Sequence, residues 1–180
     1  MYQPFQAVRA VTNEVPLTIE GQGLQILLER REPSPPGLRL SMRCGLPPEE
    51  VVFAGEGYDA TVRKGFSSAW GPKWVPPVYH CRASEDEVLI EVKVPKEATG
   101  TLRLFVIDPD NFMGGRKQEA IVAGESLGTI ENFEEGRWLE YKVSQPSDAD
   151  RNIPVQVINR REGANAVISL LEWLDGSPSF

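Results

Sequence analysis

Residues 87–94 read Glu-Val-Leu-Ile-Glu-Val-Lys-Val, and this stretch decides the fold class. Every second side chain is apolar, and the positions between them are mostly charged. An extended chain places alternate residues on opposite faces, so Val88, Ile90, Val92 and Val94 share one apolar face. The pattern predicts an antiparallel strand with one face in a core and the other in water.

Short β-type runs of this kind recur along the chain. They lie at residues 7–11, 15–20, 24–29, 38–43, 101–107, 118–123, 138–143, 153–159 and 166–173. The 15 prolines and 16 glycines supply the turns between them. Two stretches, residues 49–52 and 165–174, also have helix-compatible composition, but Gly163 and Gly176 around the second favour a closing strand. The sequence therefore predicts an all-β fold, an antiparallel β-sandwich.

The most loop-like stretch is residues 30–37, Arg-Arg-Glu-Pro-Ser-Pro-Pro-Gly, whose prolines cannot donate to a ladder. We assign the sandwich to residues 51–176. Residues 1–50 are then either additional N-terminal strands packed on the same sandwich or the remnant of a preceding domain. We favour the first alternative, because a stranded half-domain would leave apolar strand faces exposed.

Charge and hydropathy argue against two classes of partner. The chain has 19 basic and 26 acidic residues, a net charge of -7, and no basic stretch that would follow a phosphate backbone. We therefore expect no nucleic acid partner. No apolar run reaches the length of about 20 residues that a bilayer crossing needs, so we expect no membrane insertion. The first residues lack the features of a signal peptide.

Only two cysteines occur, Cys44 and Cys81. Each lies in a strand-like segment, and a disulfide would need the two strands to lie side by side with close Cα atoms. The sequence leaves this open and favours two buried free thiols.

Four motifs follow one another between residues 102 and 173. They are an Asp-rich turn after an apolar strand, a Gly-Arg-Lys-Gln strand, a Phe-x-x-Gly-x-Trp segment and a closing Arg-Glu-Gly-Ala-Asn-Ala-Val-Ile-Ser segment, at residues 108–111, 115–118, 133–138 and 161–169. In this order they resemble the galactose-binding-like, jelly-roll sandwiches appended to bacterial glycoside hydrolases. The chain departs from the simplest pattern by inserting residues 112–114, and residues 1–50 have no counterpart.

The resemblance implies a non-catalytic carbohydrate-binding module that targets or supports a polysaccharide-active enzyme. Its expected partners are a polysaccharide or oligosaccharide and a catalytic domain in the same longer chain. Its expected location is extracellular or periplasmic, as part of a secreted enzyme. Because such modules bind sugar in some members and are structural in others, a structural or protein-interaction sandwich remains the alternative.

A sugar site needs an exposed aromatic ring beside polar side chains. Residues 67–74 place Trp70 and Trp74 in a Gly/Pro loop, the best candidate platform, with Tyr79 just beyond it. The alternative is that one or both tryptophan rings cap the core.

Three residues of the acidic turn, Asp108, Asp110 and Asn111, can bind sugar hydroxyls or a structural calcium ion, which would involve Asp108 and Asp110. The turn is explained equally by local hydrogen bonds to the backbone, and Phe112 stands where an EF-hand needs an oxygen ligand. No other cofactor is expected.

Arg116, Arg161 and Asn165 complete the candidate ligand-binding residues. Arg116 alternates with Lys117 and Glu119, so it faces either a groove or solvent. Residues 159–165 read as a hairpin between the last two strands, with Gly163 at the position that needs a positive φ. Arg161 and Asn165 then serve either the turn or a ligand.

An independent enzyme is the least favoured hypothesis. His80 is the only histidine, and its neighbour Cys81 points to the opposite face of a strand. The sequence has no Gly-x-Ser-x-Gly elbow, phosphate-binding loop or zinc spacing. A pair of carboxylates for glycoside hydrolysis is not excluded by counting, with 26 acidic residues present.

Overall fold

The computed structural model describes residues 35–46, 50–70 and 79–176. This part of the chain is almost entirely β and contains no α-helix, which confirms the predicted fold class. The strands are β1 (Leu38–Arg43), β2 (Val51–Ala54), β3 (Asp59–Lys64), β4 (Phe66–Trp70), β5 (Tyr79–Ser84), β6 (Glu87–Val94), β7 (Gly100–Val106), β8 (Gln118–Val122), β9 (Glu125–Ile130), β10 (Arg137–Val143), β11 (Arg151–Asn159), β12 (Ala166–Ile168) and β13 (Leu170–Asp175).

The strands form three antiparallel sheets. Sheet A has the order β10-β7-β13-β1-β2, sheet B the order β3-β6-β11-β8-β9, and sheet C the order β12-β5-β4. The inward side chains of sheets A and B form one buried core with those of sheet C. The architecture is therefore an antiparallel β-sandwich with a small third sheet.

Strand β6 shows how the sequence pattern becomes the core. Val88, Ile90, Val92 and Val94 are all fully buried, whereas Lys93 is exposed. Strand β6 pairs on one side with β11 and on the other with β3, so it is an interior strand of sheet B. Burying each such valine or isoleucine contributes about 1.5–3 kcal/mol, which explains why the alternation of residues 87–94 is so regular.

The closing strand is interrupted, which corrects the prediction of one strand over residues 166–173. Strand β12 belongs to sheet C, where it pairs with β5, and β13 belongs to sheet A, where it lies between β7 and β1. The break falls at Ser169, whose N–H donates to the carbonyl of Phe105 at 2.9 Å and whose carbonyl accepts from the N–H of Cys44 at 2.9 Å. The chain thereby passes from one sheet to another without losing its backbone hydrogen bonds.

Several local predictions were wrong. Residues 67–70, expected in a loop, belong to β4. Strands β3 and β9 were not predicted. Residues 160–165 do not form a hairpin, because β11 lies in sheet B and β12 in sheet C, although Gly163 has the expected positive φ of 75°.

Part of the N-terminal segment belongs to the sandwich. Strand β1 lies between β13 and β2 in sheet A. The predicted strands at residues 7–11, 15–20 and 24–29 lie outside the described residues. The assignment of that region to the same sandwich or to a preceding domain stays a prediction.

Both cysteines are buried free thiols. Cys44 follows β1, and Cys81 lies in β5. Burial raises the pKa of both thiols well above the ordinary value, so both remain protonated and unreactive near neutral pH. Gly45 passes so close to Cys81 that an added Cβ would lie 2.0 Å from its carbonyl oxygen, a contact that only glycine avoids.

A polar cluster closes one end of sheet A, and we call it the Asp175 hub. The Asp175 carboxylate accepts hydrogen bonds from Arg39 Nε at 2.6 Å, from the Tyr58 hydroxyl at 2.8 Å and from Trp173 Nε1 at 3.1 Å. Burial alone would raise the pKa of Asp175, but the hydrogen bonds from these three residues bring it below the ordinary value. Burial and the bond to Asp175 raise the pKa of Tyr58 to about 12.

Candidate functional site

A groove of about 500 Å³ opens among the loops at the other end of the sandwich. Strand β4 contributes the side chain of its first residue, and the β5–β6 turn contributes Glu85. The last residue of β11 and the β7–β8 and β11–β12 loops contribute the rest. Its lining consists of Phe66, Glu85, Phe112, Asn159, Glu162, Gly163, Ala164 and Asn165. We call it the loop groove.

Two phenyl rings stand at the loop groove with part of their surface in water. Phe66 is 50% exposed and Phe112 is 37% exposed. The neighbouring Met113 is 61% exposed, and its methyl group lies 3.7 Å from the point where a Cβ on Gly163 would stand. Large apolar side chains are usually buried in the core. Where they are exposed together at a groove, they are typical of a ligand-binding surface.

A buried arginine holds the loops behind the groove. The side chain of Arg116 is only 3% exposed and that of Asp108 only 2%, and the two form an ion pair. Arg116 Nη1 also donates to Asp110 at 2.6 Å, and Arg116 Nε donates to Asn165 Oδ1 at 2.7 Å. We call these four residues the Arg116 frame; it joins the β7–β8 loop to the start of β12.

Asp108 also organises its own loop through the backbone. Its carboxylate accepts the N–H of Arg116 at 2.7 Å and the N–H of Phe112 at 3.3 Å. Such bonds are the reason that aspartate is favoured at the start of turns. Burial alone would raise the pKa of Asp110, but the hydrogen bond and charge of Arg116 bring it below the ordinary value.

A second arginine fastens the outer part of the same loop. Arg161 Nη1 donates to the carbonyl oxygens of Gly114 and Gly115 at 2.9 and 2.6 Å. Its side chain therefore crosses from the β11–β12 loop to the β7–β8 loop. Arg161 fixes the distance between two walls of the loop groove.

Asn159 makes a third cross-link, which the sequence did not indicate. Its Nδ2 donates to the carbonyls of Glu85 at 2.8 Å and Ala164 at 2.9 Å, and its Oδ1 accepts the N–H of Arg161 at 3.0 Å. Asn159 thus holds the β5–β6 turn against the β11–β12 loop. Both ends of its amide are engaged by the protein itself.

Gln118 anchors the strand that follows the groove. Its Nε2 donates to the carbonyl of Val167 at 2.9 Å, and its Oε1 accepts the N–H of Val167 at 2.9 Å. The fully buried side chain therefore acts as a strand neighbour for β12. Arg116 and Gln118 face inward, so of the two orientations that the sequence allowed, the solvated one is wrong.

The structure brings together most of the polar residues singled out in the sequence. Asp108, Asp110, Arg116 and Asn165 form the Arg116 frame, and Arg161 joins the same loops. Asn111 is exposed, with a left-handed φ of 46°, and caps the short turn Phe112–Gly114. Of these residues, Asn165 lines the loop groove.

At the predicted calcium site, a side chain of the protein itself pairs with the two aspartates. The guanidinium of Arg116 lies against both Asp108 and Asp110, at the place where a cation would neutralise them. Among the residues that the structure describes, no group of three or more His, Cys, Asp or Glu side chains is arranged to hold a metal ion.

The predicted aromatic platform is described only in part. Trp74 is outside the described residues. Trp70 and Tyr79 are backbone partners across β4 and β5. Trp70 lies four residues along β4 from Phe66, a separation of about 13 Å in a strand, so Trp70 and Tyr79 mark the far end of that pair of strands.

Sequence reasoning missed the aromatic residues of the loop groove. Phe112 lies within the Phe-Met-Gly insertion that distinguishes this chain from the family pattern, and an inserted aromatic residue in a loop was a usable signal. Phe66 follows Gly65 at the start of an unpredicted strand, so its role could be seen only once β4 was placed.

A smaller cleft of about 230 Å³ lies on the outer face of sheet B. Its lining is Asp59, Thr61, Arg63, Glu91, Lys93 and Asn152. Arg63 and Glu91 are paired at 2.9 Å. With no aromatic side chain in its described lining, this cleft lacks the apolar surface that a sugar ring requires.

Comparisons with known proteins agree with the fold. No protein-family model matches the chain, and no curated protein sequence matches it. The plant receptor-like kinase ANX2 matches with a TM-score of 0.54 at 8% identity, over 78% of this chain and 49% of that chain. The plant receptor-like kinase ANX1 matches with a TM-score of 0.52 at 14% identity, over 78% and 42%.

A family 35 carbohydrate-binding module from Clostridium thermocellum matches with a TM-score of 0.41 at 12% identity, over 66% of this chain and 93% of that module. The chain spans half or less of the length of the two kinase structures that it matches, 49% and 42%. At such identities the two kinase matches establish a shared β-sandwich fold, and the ligand has to be argued from the groove.

No helix in the described part of the chain is long and apolar enough to cross a membrane.

Proposed function

We propose that this chain is a non-catalytic carbohydrate-binding module and that the loop groove is its binding site. The observation that carries the proposal is the pair of half-exposed rings, Phe66 and Phe112, in the lining of one groove of about 500 Å³. That volume lies within the range of about 300–1,000 Å³ typical of small-molecule sites.

The groove has the two kinds of surface that a sugar requires. The C–H face of a pyranose ring packs on an aromatic side chain, and its hydroxyls exchange hydrogen bonds with polar groups. Phe66 and Phe112 supply the first kind. Asn165 supplies part of the second, because Arg116 occupies its oxygen while its NH2 group has no acceptor among the described residues and is able to donate to a hydroxyl.

The groove is also pre-organised. Arg116, Arg161 and Asn159 each cross between two of the loops that line it. Ordering the loops before the ligand arrives lowers the entropic cost of binding. A rigid, preformed groove is what we expect of a module that binds sugar without reacting with it.

The wider biological setting follows from the resemblance to modules appended to glycoside hydrolases. A catalytic domain in the same longer chain and an extracellular or periplasmic location are included in the proposal. The benefit to the enzyme is a higher local concentration on its polysaccharide, an effect of linkage rather than chemistry.

The test is a glycan array followed by affinity electrophoresis with the polysaccharides that score. We expect the wild-type chain to bind, and Phe66→Ala and Phe112→Ala each to weaken binding about tenfold, since burying one such ring contributes about 1.5–3 kcal/mol. Phe53→Ala is the matched control, because Phe53 is 46% exposed on β2 and is not part of the groove.

Trp70→Ala and Trp74→Ala, tested in parallel, examine the platform that the sequence predicts. If these variants lose binding while Phe66→Ala and Phe112→Ala do not, the site lies in that platform and not in the loop groove. If the wild-type chain binds no glycan, the carbohydrate-binding proposal is wrong.

The alternative function, a structural or protein-interaction sandwich, is favoured by a different surface. The outer face of sheet A carries Trp138, which is 39% exposed and packs on Phe105 with ring centroids 5.1 Å apart. Arg103 lies over the Trp138 ring at 4.3 Å and pairs with Glu172. A chain that binds no glycan but loses binding to its neighbouring domain on Trp138→Ala would have this function.

A further inference from the structure

The described lining of the loop groove carries charge of one sign. Its described lining includes two acidic side chains, Glu85 and Glu162, and no lysine, arginine or histidine. Both glutamates are exposed, and within the described part of the chain neither carboxylate makes a hydrogen bond or an ion pair. They are therefore available to a ligand.

Three cations carried by the groove loops or the neighbouring strand are engaged by the protein itself. Arg116 is buried between Asp108 and Asp110, and Arg161 donates to two backbone carbonyls. Lys64 pairs with Asp86 at 2.6 Å and with Glu87 at 3.2 Å, beside the turn that carries Glu85. These contacts hold the cations in the protein's own framework, and Glu85 and Glu162 are the charged side chains of the described lining.

The neutral polar groups of the lining do not change this balance. Asn159 donates its amide hydrogens to the backbone of Glu85 and Ala164, and Asn165 has its oxygen on Arg116. The groove thus offers a ligand mainly acceptors, from Glu85 and Glu162, together with the NH2 group of Asn165. A hydrogen bond from a cationic donor to a carboxylate is roughly twice as strong as a neutral one.

We propose that the loop groove selects glycans with free amino groups, such as oligomers of glucosamine, over their N-acetylated counterparts, and that it rejects glycans of uronic acids. This inference rests on the function proposed above and adds the class of ligand. The ammonium group is held by Glu85 and Glu162, while Phe66 and Phe112 bind the ring. A uronate carboxylate meets two like charges and no basic side chain in the described lining.

The experiment compares three hexamers by isothermal titration calorimetry: glucosamine, N-acetylglucosamine and galacturonic acid. The titrations are run at mildly acidic pH, where the amine of the glucosamine hexamer is protonated. We expect the glucosamine hexamer to bind about tenfold more tightly than the N-acetylated one, which corresponds to about 1.4 kcal/mol. The advantage should shrink as salt is added, because exposed charges are screened.

The double variant Glu85→Gln/Glu162→Gln should remove the preference and leave binding of the N-acetylated hexamer within about twofold. The matched control is Glu56→Gln/Glu97→Gln, which makes the same change in net charge. Glu56 and Glu97 are exposed in the β2–β3 and β6–β7 turns, near the Asp175 hub and away from the groove. This control should keep the full preference.

The outcomes separate the inference from the proposed function. If N-acetylated or other neutral glycans bind through Phe66 and Phe112 without any preference for the amine, the inference is wrong and the function stands. The inference is also wrong if the double variant keeps the preference, if the control loses it, if galacturonic acid binds as well as glucosamine, or if binding requires added calcium. If no glycan binds at all, the function itself is wrong.

Discussion

A polar cluster lies at each end of strand β7. Both clusters combine arginine and aspartate side chains, but they connect different parts of the fold. The Asp175 hub gathers three donors on one carboxylate beside Gly100. The Arg116 frame, just beyond Val106, gathers three acceptors on one guanidinium. The hub ties strand ends together, whereas the frame ties loops together and stands behind a groove.

Burial separates the two clusters further. The side chains of Arg39 and Asp175 are 53% and 30% exposed, whereas those of Arg116 and Asp108 are 3% and 2% exposed. Water reaches Arg39 and Asp175 at the hub, whereas it does not reach the Arg116–Asp108 pair of the frame. We therefore expect the ion pair of the frame to matter more for folding stability than the ion pair of the hub.

The largest effect is expected at the frame. Arg116→Met keeps much of the side-chain volume but leaves the Asp108 carboxylate buried without its partner, which costs about 3–5 kcal/mol. Urea denaturation measures the loss, and glycan binding should disappear with it. Asp108→Asn/Arg116→Met, which removes both charges, should recover part of the stability. A loss below about 1 kcal/mol in the single variant would contradict the importance of burial here.

A smaller effect is expected at the hub. Asp175→Ala removes the acceptor of Arg39, Tyr58 and Trp173. Water reaches Arg39, whereas fully buried Trp173 is left without its acceptor, so the expected loss is about 2 kcal/mol. Glycan binding should be unchanged, since the hub stands at the other end of sheet A. Urea denaturation and affinity electrophoresis on the same preparation check both statements. Lost binding in a variant that still folds would show that the two ends are coupled.

The smallest effect concerns pH at the hub. Tyr58 has a pKa of about 12 in the folded chain, above the value of about 10 expected for an unfolded one. The unfolded state therefore loses this proton first, and stability falls as pH rises from about 10 towards about 12. Tyr58→Phe should show a shallower alkaline decline than the wild-type chain in that window. Identical slopes in urea denaturation at several pH values would exclude the role of Tyr58.

The sequence predicted elements whose pattern is local. The alternation in residues 87–94 and 38–43 matches β6 and β1, because an interior strand needs one continuous apolar face. The break at Ser169 could not be predicted, since it depends on Phe105 and Cys44, which are distant in sequence. The same holds for the inward orientation of Arg116, whose partner Asn165 lies in another loop.

The candidate site was predictable only in part, for a related reason. Asp108, Asp110, Arg116 and Asn165 stood out because polar residues in turns are visible in sequence, and the structure brings them into one cluster. These four residues form the Arg116 frame. The two rings at the groove were not predicted, because Phe66 lies in β4 and Phe112 in the β7–β8 loop, and only the fold brings them together. Convergence of that kind is a property of the sheet topology, which short-range patterns do not contain.

The loop groove also separates the residues that build it from those that a ligand would meet. Asn159, Arg161 and Arg116 hold the loops together, whereas within the described residues the side chains of Phe66, Glu85 and Glu162 make no hydrogen bond to that framework. Replacing the second group should therefore cost little folding stability. Such a division makes the site evolvable: specificity can drift, or be selected from a library randomised at these positions, while the scaffold is inherited intact.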